Sequence, residues 1–315
     1  MTGKRILITG GGGFLGSHLV RRLHGKGHEV FLLASPAFSG RRLGDLAGCL
    51  PILHTAITDI AGVAAVVGKA RPDIIFHLAS TPFNPPTTSA SEHLNVIAGG
   101  TLALLEAMRA APRARLVATG SAAEYGDGNH LREHDPLRPT TWLGAAKAAA
   151  TLLVETWVRM YGIDAVIVRL FTPFGPWEAP RRLIPYTIGC ALKNRPVQLT
   201  SGSQQRDFLY VDDVADAMER AAFQPLDPGA VINVCSGRAT TAREAAALVL
   251  EHMGNPVPLE TGAQPGRSDD IKVCSGDPGR AQELLGWRPT VSLPEGIART
   301  VDWFRDNRQW LLSCP

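Results

Sequence analysis

Short, continuous apolar runs alternate with longer amphipathic stretches over the first half of the chain. The apolar runs predict buried strands at Arg5–Thr9, "EVFLLA", Asp73–Ala79, Ala114–Thr119 and Asp164–Leu170. Amphipathic helices are predicted between them: "GSHLVRRLHGKG", about Ser89 to Ala111, and the segment that contains Lys147. Continuous apolar strands that alternate with helices are typical of a parallel sheet covered on both faces. The pattern therefore predicts an α/β fold with a Rossmann-type, doubly wound parallel sheet.

The pattern changes after about Gly175. Prolines become frequent and the apolar runs shorten, as in "PVQLT", "RDFLYV" and "VINVC", and helices are predicted at Thr240–Met253 and Leu293–Arg305. We expect a nucleotide-binding Rossmann domain over residues 1–175 and a smaller, mainly substrate-binding C-terminal lobe over residues 176–315. A strand and a helix at about 205–240 are expected to return to the first domain.

Composition narrows the class of protein. Of the 315 residues 45% are hydrophobic and 19% charged, which is an ordinary globular mixture. The net charge of +3 and the scattered arginines argue against a nucleic-acid partner. The five cysteines are widely spaced without a C-x-x-C pair, so we expect reduced thiols in a cytoplasmic protein and no metal site. No window approaches the roughly 20 apolar residues that span a bilayer, so no membrane partner is expected.

The segment "TGGGGFLG" follows the first predicted strand directly and opens a helix. Gly10, Gly13 and Gly16 are spaced as in a dinucleotide-binding fingerprint. Such a turn needs backbone angles that favour glycine, a close approach of the pyrophosphate and tight packing of helix on strand. The preceding strand and the following helix make this motif specific, and it predicts NAD or NADP as the cofactor.

The end of the second predicted strand favours NADP over NAD. An acidic residue about 20 residues after the glycine loop usually holds the ribose 2′-hydroxyl of NAD. Here Ala34 and Ser35 stand at that place, and Arg41 and Arg42 follow. A guanidinium pairs with a 2′-phosphate, whereas a carboxylate would repel it. The alternative is that both arginines are solvated surface residues.

The motifs, taken in order, resemble those of the extended short-chain dehydrogenase/reductase family of nucleotide-sugar epimerases, dehydratases and reductases. The resemblance covers nearly the whole chain, through "TGGGGFLG", "HLAS", "LNVIAGGTLALLEA", "ATGSAAEYG", Lys147, "RLFTPFGP" and "QQRDFLYVDDVADAM". "TGSAAEYG" and "VINVCSG" are most similar to reductases that act on GDP-4-keto-6-deoxymannose.

The resemblance implies two sets of binding residues and a nucleoside diphosphate sugar as the substrate. The implied cofactor-binding residues are Gly10, Gly13, Phe14, Leu15, Gly16, Ser35, Arg41, Ile57, Leu78, Ala79, Ser80, Thr119, Lys147 and Leu170. The implied substrate-binding residues are Thr81, Ser121, Thr172, Arg206 and Arg267. The family also pairs helices across a two-fold axis, which implies a homodimer through the predicted helices near Ser89–Ala111 and Gly144–Tyr161.

The catalytic triad of the family is incomplete in this chain. In the family a Ser or Thr, a Tyr and a Lys perform the chemistry; the Tyr is the acid/base and lies one helical turn before the Lys. Ser121 and Lys147 match two of these positions, but Leu143 stands at the position of the Tyr. The implied site is therefore Ser-Leu-Lys, and Tyr125 is the nearest phenol in sequence that could substitute, unless its ring only packs beneath the turn.

Other departures bear on the reaction. The family's 4,6-dehydratases carry an Asp-Glu pair where this chain has Ala122-Ala123, so ordinary 4,6-dehydration is not expected. Glu124 comes one position later. At the end of the third strand Ala56 replaces the Asp that meets the adenine amine, and Thr172 replaces an Asn that contacts substrate phosphates.

Three functions remain open from the sequence. The first is an NAD(P)-dependent 4-ketoreductase or epimerase of a nucleotide-activated sugar. The second is a divergent enzyme of the same fold that performs another reduction or elimination in small-molecule biosynthesis. The third is a non-catalytic dinucleotide-binding protein. The glycine loop and Lys147 fit all three.

Overall fold

The structure, a computed structural model, describes residues 3–81, 88–109, 113–265 and 271–312. In this part of the chain the strands are β1 (Arg5–Thr9), β2 (Glu29–Ala34), β3 (Ile52–His54), β4 (Ile74–His77), β5 (Arg115–Ser121), β6 (Gly128–Leu131), β7 (Ala165–Leu170), β8 (Thr172–Phe174), β9 (Val197–Gln198), β10 (Gln205–Tyr210), β11 (Val231–Val234), β12 (Ala239–Thr241), β13 (Leu259–Glu260) and β14 (Val273–Gly276).

The α-helices of the same residues are α1 (Phe14–Gly25), α2 (Ile60–Ala70), α3 (Ala90–His93), α4 (Gly100–Met108), α5 (Trp142–Tyr161), α6 (Leu183–Leu192), α7 (Val211–Phe223), α8 (Ala242–His252), α9 (Gly279–Leu285), α10 (Leu293–Asp306) and α11 (Arg308–Leu312). Short 3₁₀ segments lie at Gly44–Gly48 and Ala122–Glu124, and a π-helical segment lies at Leu94–Gly99. No helix in the described ranges is both long and apolar enough to cross a membrane.

Seven parallel strands form the central sheet, in the order β11-β7-β5-β4-β1-β2-β3. Successive residues of each strand point to opposite faces, so Ile6 and Ile8 join one apolar cluster and Leu7 joins the other. Both faces are therefore covered by helices, which confirms the predicted Rossmann-type sheet. The strand order reverses between β1 and β4, and dinucleotides bind such sheets in the crevice outside the carboxyl ends of the strands at this switch point.

The C-terminal part builds a second layer. Strand β10 pairs with β8, β12 and β14, and β14 pairs with β6. Helices α6, α8 and α10 pack with these strands around an apolar cluster that contains Phe174, Tyr210 and Phe304. Helix α7 packs against α1, and β11 joins the central sheet beside β7. The chain thus returns to the central sheet after entering the second layer.

The prediction of a single regular helix from about Ser89 to Ala111 is wrong in the middle of that segment. The structure has the short helix α3, the π segment and then α4, and residues 110–112 lie outside the described part. A π segment widens the helical turn, and such turns are frequent at functional sites. The hydroxyl of Thr101 donates to the Ile97 carbonyl at 2.6 Å and so ties the π segment to α4.

Candidate active site

The glycine loop lies between the end of β1 and the start of α1, at the switch point of the sheet. Gly10 has a φ of +73°, and a Cβ there would lie 2.7 Å from the carbonyl carbon of Leu78. A Cβ at Gly16 would collide with the carbonyl oxygen of Gly10, which accepts the N–H of Gly13 at 2.9 Å. Glycine at these places lets the loop, the neighbouring strand and the helix approach closely, as pyrophosphate binding requires.

Helix α1 begins without a capping side chain. Gly13 is its N-cap, and the first turn contains no acidic residue. The positive end of the helix dipole and the N–H groups of this turn therefore suit an anion such as a pyrophosphate. Phe14 and Leu15 are half-buried and pack against the apolar cluster of the C-terminal layer, so the helix start is anchored to both layers. The residues present thus fit a dinucleotide.

An aromatic pair lines the loop beyond β2, where the sequence has no carboxylate. Ser35 is exposed, and its carbonyl accepts the N–H of Phe38 at 3.0 Å in a tight turn. This turn brings the Phe38 ring so close to Gly12 that a Cβ there would collide with it. The ring also meets the imidazole of His54 edge-on, with centroids 6.2 Å apart. The sequence does not predict this pair, because only the turn returns Phe38 to the glycine loop.

The two arginines of the same loop contact the C-terminal helix. The guanidinium groups of Arg41 and Arg42 lie 4.5 and 4.8 Å from the centre of the Trp310 ring. The Nε of Arg42 also donates to the Trp177 carbonyl at 3.0 Å. Cation–π contacts of this kind hold the loop against α11. The sequence pattern does not predict this attachment.

The segment after β4 runs beside the glycine loop. The N–H of Leu78 donates to the Thr9 carbonyl at 3.1 Å, and the N–H of Ala79 donates to the Thr9 hydroxyl at 3.1 Å. Leu78 and Ala79 are half-buried and Ser80 is exposed. Ile57, after β3, packs against the start of α4. Four of the implied cofactor positions therefore line the carboxyl edge of the sheet.

Lys147 lies on α5 and points to the end of β5. Its Nζ donates to the Thr119 carbonyl at 2.7 Å and to the Thr119 hydroxyl at 3.3 Å. Burial lowers the pKa of Lys147 to about 8, although the nearby Glu124 carboxylate opposes the shift. Helix α5 is capped by the Thr141 hydroxyl, which accepts the N–H of Gly144 at 3.0 Å. The position of a lysine in the first turns of α5 is therefore explained by its hydrogen bonds to Thr119 on β5, and not by any stabilisation of the helix.

Ser121 ends β5 on the same edge, in register with Leu170 at the end of β7. Its N–H donates to a Glu124 oxygen at 2.7 Å, and its hydroxyl accepts the N–H of Ala123 at 3.2 Å. Ser121 therefore caps the 3₁₀ turn, and it is still half-exposed at the edge where Lys147 lies. The side chain of Leu170 is buried in the core.

Leu143 lies one helical turn before Lys147 on α5. Its side chain is half-buried and packs against Ile97, Ala146 and Ala150. The residue therefore joins α5 to the π segment and offers no group that exchanges a proton. Its neighbour Trp142 is 66% exposed.

Glu124 is fully buried behind Ser121. Its carboxylate accepts from Arg169 Nε and from the Thr151 hydroxyl, each at 2.9 Å, besides the Ser121 N–H. The side chains of Glu124 and Arg169 are 0% and 3% exposed. All these contacts are internal, so Glu124 supports the end of β5 and does not reach the substrate side.

Tyr125 belongs to the same buried network. Its hydroxyl donates to Asn233 Oδ1 at 2.9 Å and accepts from Arg169 Nη1 at 2.8 Å. Burial raises its pKa to about 12 despite the nearby Arg169 charge. A phenol with both hydrogen-bonding roles occupied inside the core cannot serve as the substitute acid. The structure therefore contradicts the expectation that Tyr125 is a catalytic residue and favours the alternative, in which its ring packs beneath the turn.

His77 ties three elements together at the end of β4. Its Nδ1 lies 2.7 Å from the Thr9 hydroxyl and its Nε2 lies 3.0 Å from the Thr101 hydroxyl. Burial, and then the Lys147 charge, lowers the pKa of His77 to about 3. A neutral imidazole with both nitrogens bound is a structural group.

The implied substrate residues of the second layer lie around β8 and β10. Thr172 is the half-buried first residue of β8 and pairs with Phe208 on β10. Arg206 lies on β10, and its Nη1 donates to the Ile271 carbonyl at 2.7 Å. Arg267 lies outside the described residues.

A histidine that the sequence does not single out also lies beside this edge. The hydroxyl of Thr81, four residues beyond the end of β4, lies 2.7 Å from Nδ1 of His93 on α3. Thr81 is buried and His93 is half-buried. The signal in the sequence is weak, because a Thr and a His twelve residues apart have no recognisable spacing.

The sequence is similar to those of known proteins over most of its length. Residues 6–235 match the family described as the NAD dependent epimerase/dehydratase family. A UDP-glucose 4-epimerase of Mycolicibacterium smegmatis is 32% identical over 97% of this chain and 100% of its own length. A dTDP-glucose 4,6-dehydratase of Streptomyces niveus is 31% identical over 97% of this chain and 94% of its own.

A solved structure has the same fold. The UDP-glucose 4-epimerase of Thermus thermophilus, in complex with NAD, is 30% identical and superposes with a TM-score of 0.86. The similarity covers 95% of this chain and 98% of that one. Three findings agree: the glycine loop lies at the switch point, the family matches most of the chain, and the relatives align over nearly their whole length. The chain belongs to the NAD-dependent epimerase/dehydratase family of nucleotide-sugar enzymes.

Proposed function

We propose that this protein is an NAD(P)-dependent enzyme that reduces or epimerises a nucleotide-activated sugar at a keto or hydroxyl carbon, with a Ser-Leu-Lys site. One observation carries the proposal: Lys147 is buried and anchored at Thr119, at the same edge of the sheet as the glycine loop and Ser121. A buried ammonium group needs hydrogen-bond acceptors, and Thr119 supplies two of them. Its place suits a hydroxyl-rich ligand such as the nicotinamide ribose.

The same geometry argues against ordinary 4,6-dehydration. That reaction needs a free acid and base next to Ser121, where this chain has Ala122 and Ala123. The following carboxylate, Glu124, is bound internally by Arg169. Reduction and epimerisation remain, because neither needs this carboxylate pair.

Each residue of the proposed site has a defined task. The turn of Gly10, Gly13 and Gly16 receives the pyrophosphate, Lys147 holds the ribose, and Ser121 binds the reacting oxygen of the sugar. The chemistry that a nicotinamide cofactor supplies when bound is hydride transfer. The protein orients the sugar and manages the proton that accompanies the hydride.

Mass spectrometry tests the proposal. The protein is incubated in D₂O with NAD(H) or NADP(H) and a panel of UDP-, dTDP- and GDP-sugars that includes 4-keto-6-deoxy forms. A mass gain from reduction, or conversion to an epimer separated by chromatography, is expected for one member. No change across the panel, with cofactor binding shown by titration, would overturn the proposal and favour a non-catalytic dinucleotide binder. Loss of water would favour the divergent elimination instead.

For the cofactor we propose NADP, with NAD as the alternative. The support is the chemistry of the loop after β2, where Ala34 and Ser35 replace the carboxylate and Arg41 follows. Isothermal titration with both cofactors checks this preference, and tighter binding of NAD would overturn it.

We also propose a homodimer. Helix α5 exposes the large apolar side chains of Trp142 (66%), Leu152 (53%) and Met160 (64%), and a dimer interface would cover them. The dimer helices of the family occupy this place. Light scattering is expected to show twice the chain mass of 33.7 kDa.

A further inference from the structure

A hydride transfer at a carbinol or carbonyl carbon must be accompanied by a proton transfer at its oxygen. The usual phenol is replaced by Leu143, whose side chain packs against Ile97. His77 and Tyr125, which lie near the ends of β4 and β5, have their polar atoms bound within the fold. Glu124 is bound to Arg169 and faces inward.

His93 differs from these groups in its surroundings. It is half-buried, whereas the bound groups are buried. Its Nδ1 lies 2.7 Å from the hydroxyl of Thr81, and this contact orients the ring and leaves Nε2 as the nitrogen for exchange. A base held by a second polar group is the arrangement that general acid–base catalysis uses, and imidazole is the side chain most often used.

The elements next to His93 contact the helix on which the phenol is missing. It ends α3, which packs against α5, the helix of Leu143 and Lys147. It is followed at once by the π segment Leu94–Gly99, whose Ile97 contacts Leu143. Thr81 follows β4, the strand beside β5, where Lys147 is anchored. Such π turns are frequent at functional sites.

We propose that His93, oriented by Thr81, is the acid/base residue that replaces the tyrosine of the family; the proposal rests on the function proposed above. In the reduction, the carbonyl carbon takes the hydride from the reduced nicotinamide while the carbonyl oxygen takes the proton from Nε2 of the imidazolium. Alcohol, oxidised cofactor and neutral imidazole result. In the oxidation, the imidazole takes the hydroxyl proton as the hydride passes from the carbon to the oxidised nicotinamide.

Substitution of His93 tests this role with the substrate found by the mass-spectrometric panel. His93→Gln is expected to lower kcat by about 10²–10⁴-fold, the usual contribution of one acid/base group. The affinity for the cofactor and the unfolding midpoint are expected to stay unchanged. His252→Gln is the matched control, because His252 is an exposed histidine on α8 that contacts Asp302. This substitution is expected to leave kcat unchanged.

A rescue variant separates chemistry from folding. Leu143→Tyr added to His93→Gln restores a phenol one turn from Lys147 and is expected to recover at least about tenfold of the lost kcat. Full turnover by His93→Gln, or a loss that Leu143→Tyr does not recover at all, would overturn the role of His93 and leave the proposed function standing. No turnover by the unchanged protein would overturn the proposed function itself.

An NMR titration locates His93 independently of turnover. The imidazole signal missing from the His93→Gln spectrum identifies His93, and saturation with NAD or NADP is expected to shift it. An unshifted signal at saturation would place His93 away from the cofactor and overturn the proposal.

Discussion

The buried ion pair behind Ser121 gives a quantitative prediction. Replacing Glu124 by Ala removes the carboxylate that accepts from Arg169, Thr151 and the Ser121 N–H. Arg169 keeps its hydrogen bonds to other groups, but its charge stays in the core without a counter-charge. Removing one partner of a buried pair costs about 3–5 kcal/mol, because the remaining charge is uncompensated.

The size of this loss follows from burial and not from the number of hydrogen bonds. Glu124 is 0% exposed and the Arg169 side chain 3%, so water cannot replace the lost partner. The individual hydrogen-bond losses are parts of the same network and do not add. We therefore expect Glu124→Ala to lower the free energy of unfolding by about 3–5 kcal/mol, a large share of the 5–15 kcal/mol typical of a folded protein.

Urea unfolding followed by tryptophan fluorescence measures the loss. Glu106→Ala is the control, because Glu106 on α4 pairs with Arg109 just beyond the end of the helix, and their side chains are 37% and 58% exposed. Pairs exposed to this degree are worth at most about 1 kcal/mol. A loss for Glu124→Ala no larger than that of the control would refute the reasoning that Arg169 depends on this carboxylate.

Three further predictions concern the loop, the core histidine and the dimer. Gly16→Ala is expected to abolish cofactor binding in a titration, because its Cβ meets the Gly10 carbonyl, whereas Gly25→Ala on the same helix meets nothing and is expected to bind normally. The pKa of His77 is about 3, below its unfolded value of about 6.5, so the unfolded chain binds the extra proton and stability falls as pH drops below about 6.5. Urea unfolding at pH 7.5 and pH 5 measures how much stability each protein loses between the two values. The loss is expected to be smaller for His77→Asn than for the unchanged protein, and an equal loss would contradict this. Met160→Glu is expected to halve the mass found by light scattering; an unchanged dimer would place the interface elsewhere.

Much of the fold follows from the sequence, because it depends on local patterns. Apolar runs of five or six residues between amphipathic stretches specify parallel strands and covering helices wherever the chain goes. The glycine spacing specifies a turn that only glycine allows, and the absence of a phenol at Leu143 is visible without coordinates. The π segment is not visible in this way, since an apolar helix pattern has the same residues in either geometry.

Tertiary structure decided which polar residues meet. Glu124 and Arg169 are 45 residues apart, and only the pairing of β5 with β7 brings them together. That pairing makes Glu124 an internal support and places Tyr125 within the buried network. The contact of His93 with Thr81, on which the proposed acid/base role rests, is a separate contact made by the fold. The sequence by itself determined the family, the cofactor loop and the missing tyrosine, because these reside in local spacing. Which group stands in for the tyrosine depends on contacts between distant segments, and burial and hydrogen bonding specify those only once the chain is folded.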